Sequence, residues 1–103
     1  MVRAKFAIGQ VVTHALYGYK GVIIDADPVF SLSPEWYERM AQSRPAKDQP
    51  WYHILVNNSD IQTYVAEHSL VAEYRDLDIT NPMVDSFFRT IDQQKYQHQE
   101  TIN

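Results

Sequence analysis

Two aspartates stand two positions apart at the end of an apolar run, and their spacing could serve chemistry. Asp25 and Asp27 lie on either side of Ala26, directly before Pro28. Residues two apart on a strand share a face, so the two carboxylates could bind a metal ion or act as an acid–base pair. The alternative is that Asp27-Pro28 begins a turn and Asp25 faces water. We favour the turn, because no partner ligands are evident, and we expect no metal site.

The histidines do not have the spacing of a metal site, and the chain has no cysteine to join them. His53 follows Trp51-Tyr52 in a dense apolar segment, which is more typical of a hydrogen-bonded structural histidine than of a ligand. The sequence contains no nucleophile elbow, phosphate-binding loop or metalloprotease helix. We therefore expect a protein that is not an enzyme, with no catalytic residues and no cofactor. The histidines are His14, His53, His68 and His98.

Composition and charge favour one small acidic domain. The chain has 103 residues, of which 45% are hydrophobic, and a formal charge of −4. An acidic domain is electrostatically unfavourable for binding nucleic acid. Arg3, Lys5 and Lys20 could nevertheless form a local basic face. The lack of cysteine fits a reducing compartment, and no apolar stretch reaches membrane-spanning length. We expect a cytoplasmic protein that makes no use of a membrane.

The stretch from Gly18 to Pro28 predicts the central strand of a small sheet. Its β-branched run, Val22-Ile23-Ile24, is suited to a packed, pleated surface. Gly18 and Gly21 stand just before the run, where a tight turn or bulge needs a positive φ or a missing Cβ. A turn at Ile8-Gly9 precedes another strand, Val11 to His14, and the short connection between the two strands favours an antiparallel hairpin.

A second hairpin is predicted over residues 51–66. Trp51 to Val56 forms a strand in which Tyr52, Ile54 and Val56 share one face. The turn cluster at 57–60 leads into a returning strand over 61–66. Residues 67–72 predict either a short closing strand or a 3₁₀ turn.

Two helices are predicted outside the hairpins. Ser33-Pro34-Glu35 has the N-cap, first-turn proline and acidic residue of a helix start. Trp36, Tyr37 and Met40 would give this helix an apolar side, and the segment 43–50 after it looks mobile. A C-terminal helix is predicted over about 82–95, followed by a frayed tail over 96–103. Its apolar stripe could bind a partner, although we favour docking on the domain's own sheet. The stripe consists of Met83, Val84, Phe87, Phe88 and Ile91.

Several short strands at close spacing predict a mainly β protein, a small, partly open barrel. The short helix lies in the 31–49 loop, and the whole chain, 1–103, forms one domain. Open strand edges around so small a core are compatible with a homo-oligomer.

Three blocks of sequence resemble the HspQ family, also called the YccV-like or hemimethylated-DNA-binding family. They are Lys5 to His14 continuing through Gly18 to Pro28, then Pro50 to Val56, then Thr63 to Glu67 with Leu70. The resemblance spans about residues 5–73 and implies an SH3-like barrel. It also implies a bacterial heat-shock protein of the stress response that promotes degradation of certain denatured proteins, including the replication initiator DnaA, by modulating the Lon protease. A second implied role is binding to hemimethylated DNA.

Aromatic residues with polar tips are the best candidates for contacting a partner protein. Such side chains make good binding anchors and stack on exposed bases, but they could equally plug the open ends of a small barrel. The alternation of Tyr52 with Ile54 and Val56 favours a place for Tyr52 in the core. His53 and Glu67 join the candidates through their places in the family blocks. The candidate partner-binding residues are Tyr17, Tyr19, Trp51, His53, Tyr64 and Glu67. The predicted turn and strand determinants are Gly9, Gly18, Gly21, Asp25, Asp27 and Pro28.

Overall fold

A computed structural model of the chain describes residues 3–89 and 97–98. Five antiparallel strands form one sheet in the order β4-β3-β2-β1-β5. Their bounds are β1 Val11–His14, β2 Lys20–Asp27, β3 Trp51–Val56, β4 Gln62–Ala66 and β5 Leu70–Ala72. The structure confirms the predicted mainly β fold, a small, partly open barrel with Lys20–Asp27 as the central strand. Residues 67–72 contain both predicted features, a 3₁₀ turn at Glu67–Ser69 and then β5.

A bulge in β2 determines which side chains of this strand lie on each face of the sheet. Ile23 lies opposite Ile54, but the next paired residue is Asp25, opposite His53. The extra residue at Ile24 shifts the alternation by one position and bends the strand. Asp25 and Asp27 share a face, as their two-residue spacing predicted, and the bulge puts them on the same face of the sheet as His53.

Both faces of the sheet are covered, which explains why β3 is buried on both sides. Tyr52 and Ile54 pack inside the barrel with Phe6, Val12 and Val65. The outer face carries two further clusters, one at each end of β3. Leu55 anchors the first of them, and Trp51 anchors the second.

Glycine is required at the predicted positions for two different reasons. Gly9 and Gly18 have φ values of 91° and 81°, a backbone region that favours glycine. Gly21 instead lacks room for a side chain, because a Cβ there would lie 2.5 Å from the Leu55 carbonyl oxygen and against Ile54.

The first predicted helix is present as α1, Pro34–Met40. The Ser33 side chain accepts a hydrogen bond from the Trp36 backbone N–H, as its N-cap role requires. Tyr37 is buried on this helix, whereas Met40 is 57% exposed.

The C-terminal helix is much shorter than the pattern predicted. The helix α2 spans only Val84–Phe87, and Phe88–Arg89 then form a strand, β6, paired with Gln97–His98, β7. Four residues make a marginal helix, and an aromatic residue suits a strand that finds a partner. Val84 and Phe88 still pack on the sheet beside Leu55, so this part of the stripe docks on the domain itself. Ile91 and the rest of the predicted helix and tail, apart from β7, lie outside the described residues.

Within residues 3–89 and 97–98, neither helix has the length or the run of apolar side chains that crossing a bilayer would require.

Candidate functional site

A groove of about 570 Å³ runs along β4, and Trp51 and His53 of the neighbouring strand β3 add to its lining. Its lining includes residues from both faces of β4, Thr63 and Val65 from the inner face and Gln62 and Tyr64 from the outer face. A cavity that takes in both faces of one strand must lie over that strand's edge. The groove therefore has the edge of β4 as its floor, and we call it the β4 groove.

One wall of the β4 groove is the connection between β1 and β2. The Nδ1 atom of His14 accepts hydrogen bonds from the backbone N–H groups of Leu16 (3.2 Å) and Tyr17 (3.1 Å). The Tyr17 ring stacks on the imidazole at 4.6 Å between ring centroids. The Tyr19 hydroxyl reaches across to the Thr63 hydroxyl at 3.0 Å, so this wall is tied to β4. Burial of His14 lowers the pKa of its imidazole from the ordinary value, which suits its role as an acceptor.

The opposite wall comes from α1 and the aromatic cluster beneath it. Trp36 packs edge-on against Tyr64, with ring centroids 5.5 Å apart, and also against Trp51 at 6.3 Å. Trp51 and Tyr64 stack at 5.2 Å, and Phe30 contacts both rings. Met40 adds an exposed thioether side chain to the same wall. The long loop thus holds an apolar helix side over the groove.

A hydrogen-bond network supports Tyr64 from behind. The Tyr64 hydroxyl donates to Asp27 Oδ2 at 2.7 Å and accepts from the Ser31 backbone N–H at 3.1 Å. His53 Nε2 lies 3.3 Å from the same carboxylate oxygen. Burial, together with the hydrogen bond to Asp27, raises the pKa of Tyr64 well above its ordinary value. The phenol therefore stays protonated and keeps donating, and the network fixes the ring that forms the groove floor.

The network also places metal-type ligands together. One donor atom each from Asp25, Asp27 and His53 lies within 4.8 Å of the others. Asp27 already accepts from Tyr64, and Asp25 Oδ1 accepts from the Ala26 backbone N–H at 2.9 Å. Asp25 is exposed, as the sequence predicted, whereas Asp27 is half-buried. His53 is a potential partner ligand beside the two carboxylates that reasoning from the sequence did not identify.

Glu67 has a different location from the other candidate residues. Its Oε2 atom accepts from the Tyr52 hydroxyl and from the Lys5 backbone N–H, both at 2.6 Å. Burial, with the hydrogen bond to Glu67, raises the pKa of Tyr52 to about 12. Tyr52 is fully buried, as its alternation predicted, and its hydroxyl also accepts from the Phe6 backbone N–H. Glu67 thus anchors the N-terminal segment to the barrel and does not line the groove.

The basic side chains do not build a free cationic face around Lys20. Lys20 Nζ lies 3.1 Å from Glu73 Oε1, and Arg75 Nε lies 2.7 Å from Glu73 Oε2. Lys5 Nζ lies over the Phe6 ring at 5.5 Å. Lys20, one of the three cations proposed for that face, therefore has an internal carboxylate partner.

The structure brings Tyr17, Tyr19, Trp51, His53 and Tyr64 to the β4 groove. Reasoning from the sequence missed His14, Trp36 and Met40 as lining residues. The clustered aromatic residues of the long loop were the available signal, but the position of α1 over β4 depends on tertiary packing.

Comparison with protein families gives a match that spans the sequence blocks described above. The model of the family described as "Hemimethylated DNA-binding protein YccV like" matches residues 4–95. The match covers nearly all of the chain. It includes the five strands of the sheet, α1 and α2, and therefore every residue that lines the β4 groove. The chain belongs to the YccV-like family.

Proposed function

We propose that this protein acts without catalysis of its own, as a cytoplasmic stress-response factor that binds certain denatured or regulatory proteins, including DnaA, and promotes their degradation by Lon. Two observations support this proposal. The sequence blocks resemble HspQ proteins, and the β4 groove offers a surface for binding. Among residues 3–89 and 97–98, those that line the groove include no lysine, arginine, aspartate or glutamate. An uncharged aromatic surface suits the apolar segments that denatured proteins expose.

A degradation assay tests this proposal directly. Purified Lon and ATP are incubated with DnaA while this protein is titrated in, and the loss of substrate is followed by electrophoresis. We expect the decay rate to rise with concentration and then saturate. The Tyr17→Ala variant should be weaker, since Tyr17 is 64% exposed in the groove wall, whereas Tyr74→Ala, at a 94% exposed site outside the groove, should match the wild type.

An unchanged decay rate over a wide concentration range would rule the proposal out. A stably folded protein that Lon does not degrade serves as the control substrate and should stay intact at every concentration. Its loss would indicate general stimulation of the protease instead of delivery of selected substrates.

The family description favours a second candidate function, binding to hemimethylated DNA. Phosphate contacts supply most of the affinity of a DNA-binding protein, and they need free lysine or arginine side chains. The chain carries a net charge of −4, and both Lys20 and Arg75 contact Glu73. We therefore rank this function second.

Titration of methylated, hemimethylated and unmethylated duplexes at two salt concentrations separates the two candidates. We expect weak binding that is equal for the three duplexes and disappears at the higher salt concentration. A preference for the hemimethylated duplex that survives the higher salt would favour the DNA-binding function over ours.

A further inference from the structure

The outer edge of β4 offers backbone hydrogen-bonding groups as well as apolar walls. The Val56 N–H donates to the Ile61 carbonyl, and the Glu67 N–H donates to the Pro50 carbonyl. In an antiparallel ladder the residues that bond to a given neighbour alternate. Ile61, Thr63, Val65 and Glu67 therefore face β3, whereas the N–H and C=O groups of Gln62 and Tyr64 point to the opposite edge.

No strand of the described residues pairs with that edge, because β4 is the outermost strand of its sheet. An unpaired strand edge is a template for another extended chain. The β4 groove lies on this edge, so an added strand would enter a shaped channel rather than a flat rim.

The walls are placed to contact alternate side chains of such a strand. Side chains of an extended peptide point in turn to opposite sides. Those on one side would meet Tyr17 and Tyr19, and those on the other would meet Trp36 and Met40. The exposed Ile61 extends the apolar surface at one end of the floor.

The charge of the groove limits what it can bind. The described part of its lining has no lysine or arginine to neutralise a row of phosphates, and no lysine, arginine, aspartate or glutamate to pair with a strongly charged peptide. Unpaired N–H and C=O groups along a strand edge match another polypeptide backbone.

We propose that the β4 groove binds an extended, uncharged segment of a denatured protein as an added β-strand along Gln62–Tyr64. This deepens the function proposed above and rests on it, because it names the site that would hold the substrate before degradation. The backbone supplies affinity that is independent of sequence, and the aromatic walls select apolar side chains.

Peptide backbone methylation gives the sharpest test. The probe is a capped, uncharged heptapeptide of alternating valine and threonine, titrated into the full-length protein by calorimetry. N-methylation of alternate residues blocks one edge of the peptide and leaves the other free, so affinity should be kept. N-methylation of two consecutive central residues blocks both edges, and we expect a loss of roughly tenfold from the missing hydrogen bonds.

Protein variants supply the complementary test. Gln62→Pro removes an N–H that points away from β3, so the sheet keeps its own bonds while the groove loses a donor. Tyr17→Ala removes part of a wall from an exposed position, and Tyr74→Ala is the matched control. We expect Gln62→Pro and Tyr17→Ala to weaken peptide binding about tenfold and Tyr74→Ala to leave it unchanged. If Gln62→Pro lowers the melting temperature, Tyr17→Ala alone decides the role of the wall.

Several results would overturn the inference. Peptide affinity that survives consecutive N-methylation would show that backbone pairing is absent. No measurable peptide binding, combined with self-association that Tyr17→Ala abolishes in light scattering, would assign the edge to a second copy of this chain. Groove variants that weaken binding to duplex DNA but not to peptide would assign it to nucleic acid.

The two proposals fail separately. Peptide binding at the groove without any effect on Lon would retain the strand-addition site and remove the proposed function. Stimulation of Lon by a Gln62→Pro or Tyr17→Ala variant that no longer binds peptide would retain the function and remove the site.

Discussion

At the scale of single residues, Tyr64 connects the core to the candidate site. One hydroxyl links Asp27 to Ser31, while the ring stacks on Trp51 and forms part of the groove floor. Removal of a buried hydroxyl leaves its former partners without hydrogen bonds, which costs more than the bond itself contributed. The position of this ring therefore depends on a polar network that the aromatic content of the sequence does not reveal.

Tyr64→Phe should destabilise the fold by about 1–3 kcal/mol, because the Ser31 N–H loses its acceptor and Asp27 keeps only the longer contact with His53. Urea unfolding followed by far-ultraviolet circular dichroism measures the change. Tyr17→Phe is the matched control, since it removes a hydroxyl from an exposed ring, and it should change stability by less than about 0.5 kcal/mol. Equal effects of the two variants would mean that the Tyr64 hydroxyl contributes nothing to the fold.

His14 should titrate below the ordinary imidazole value of 6.5, because burial disfavours its charged form. The folded pKa is lowered, so the contribution of neutral His14 is fully present above pH 6.5 and is lost as the pH falls through the folded pKa. Protonation at Nδ1 would also displace the N–H groups of Leu16 and Tyr17. Proton NMR of the imidazole over a pH series gives the value, and the same resonance in urea provides the unfolded reference. A folded pKa at or above the urea value would contradict the prediction.

At the scale of the elements, Gly18 and Gly21 serve the β1–β2 hairpin by different means. Gly18 has a positive φ with open space around it, whereas Gly21 lies against β3 with no room for a Cβ. The turn requires glycine at position 18, and the packing of β2 against β3 requires glycine at position 21. The loss of stability on substitution should therefore depend on different properties of the new residue at the two positions.

Gly21→Ala should cost about 1–3 kcal/mol, because the added methyl group meets the Leu55 carbonyl and Ile54. Gly18→Ala should cost about 1–2 kcal/mol from backbone strain, and Gly18→Asn should cost less, since asparagine tolerates a positive φ. Thermal unfolding of the three variants measures the order of their stabilities. A Gly21→Ala variant as stable as the wild type would show that β2 and β3 can move apart at this point.

Local patterns were sufficient to predict the sheet and insufficient to predict the groove. β-branched runs, turn residues and the Ser33-Pro34 helix start act within a few positions, so the strands and α1 could be read directly. The β2 bulge, by contrast, depends on pairing with β3. The helical spacing after Pro82 was misleading, because the strand Phe88–Arg89 pairs with Gln97–His98 further along the chain. The placement of Trp36 over Tyr64 likewise requires the packed tertiary structure.

At the scale of the whole molecule, Glu73 ties the end of the sheet together. It contacts Lys20 at the start of β2, accepts a long hydrogen bond of 3.5 Å from Thr13 in β1, and pairs with Arg75 after β5. One carboxylate thus joins β1, β2 and the segment that follows β5. Hydrogen bonds from Arg75 and then Lys20 lower the pKa of Glu73 to about 2.

Glu73→Gln should lower the melting temperature at neutral pH, and the difference from the wild type should shrink in acid. The folded pKa is lowered from 4.5 to about 2, so the contribution of the ionised group is complete above pH 4.5 and is lost as the pH falls towards 2. Thermal unfolding of both proteins across this range checks the trend. Asp48→Asn, at an exposed site in the loop after α1, should show a small difference at every pH. A Glu73→Gln difference that is constant with pH would show that its charge has no role.

The distribution of tryptophan gives the molecule a built-in optical reporter. The chain has two indoles, and both belong to the groove, Trp51 fully buried in its base and Trp36 half-buried in its wall. Intrinsic emission should therefore have a blue-shifted part from Trp51 and a red-shifted part from Trp36. A polypeptide segment bound in the β4 groove would exclude water from Trp36 and shift only the red-shifted part of the emission. Binding could therefore be followed in the unlabelled protein.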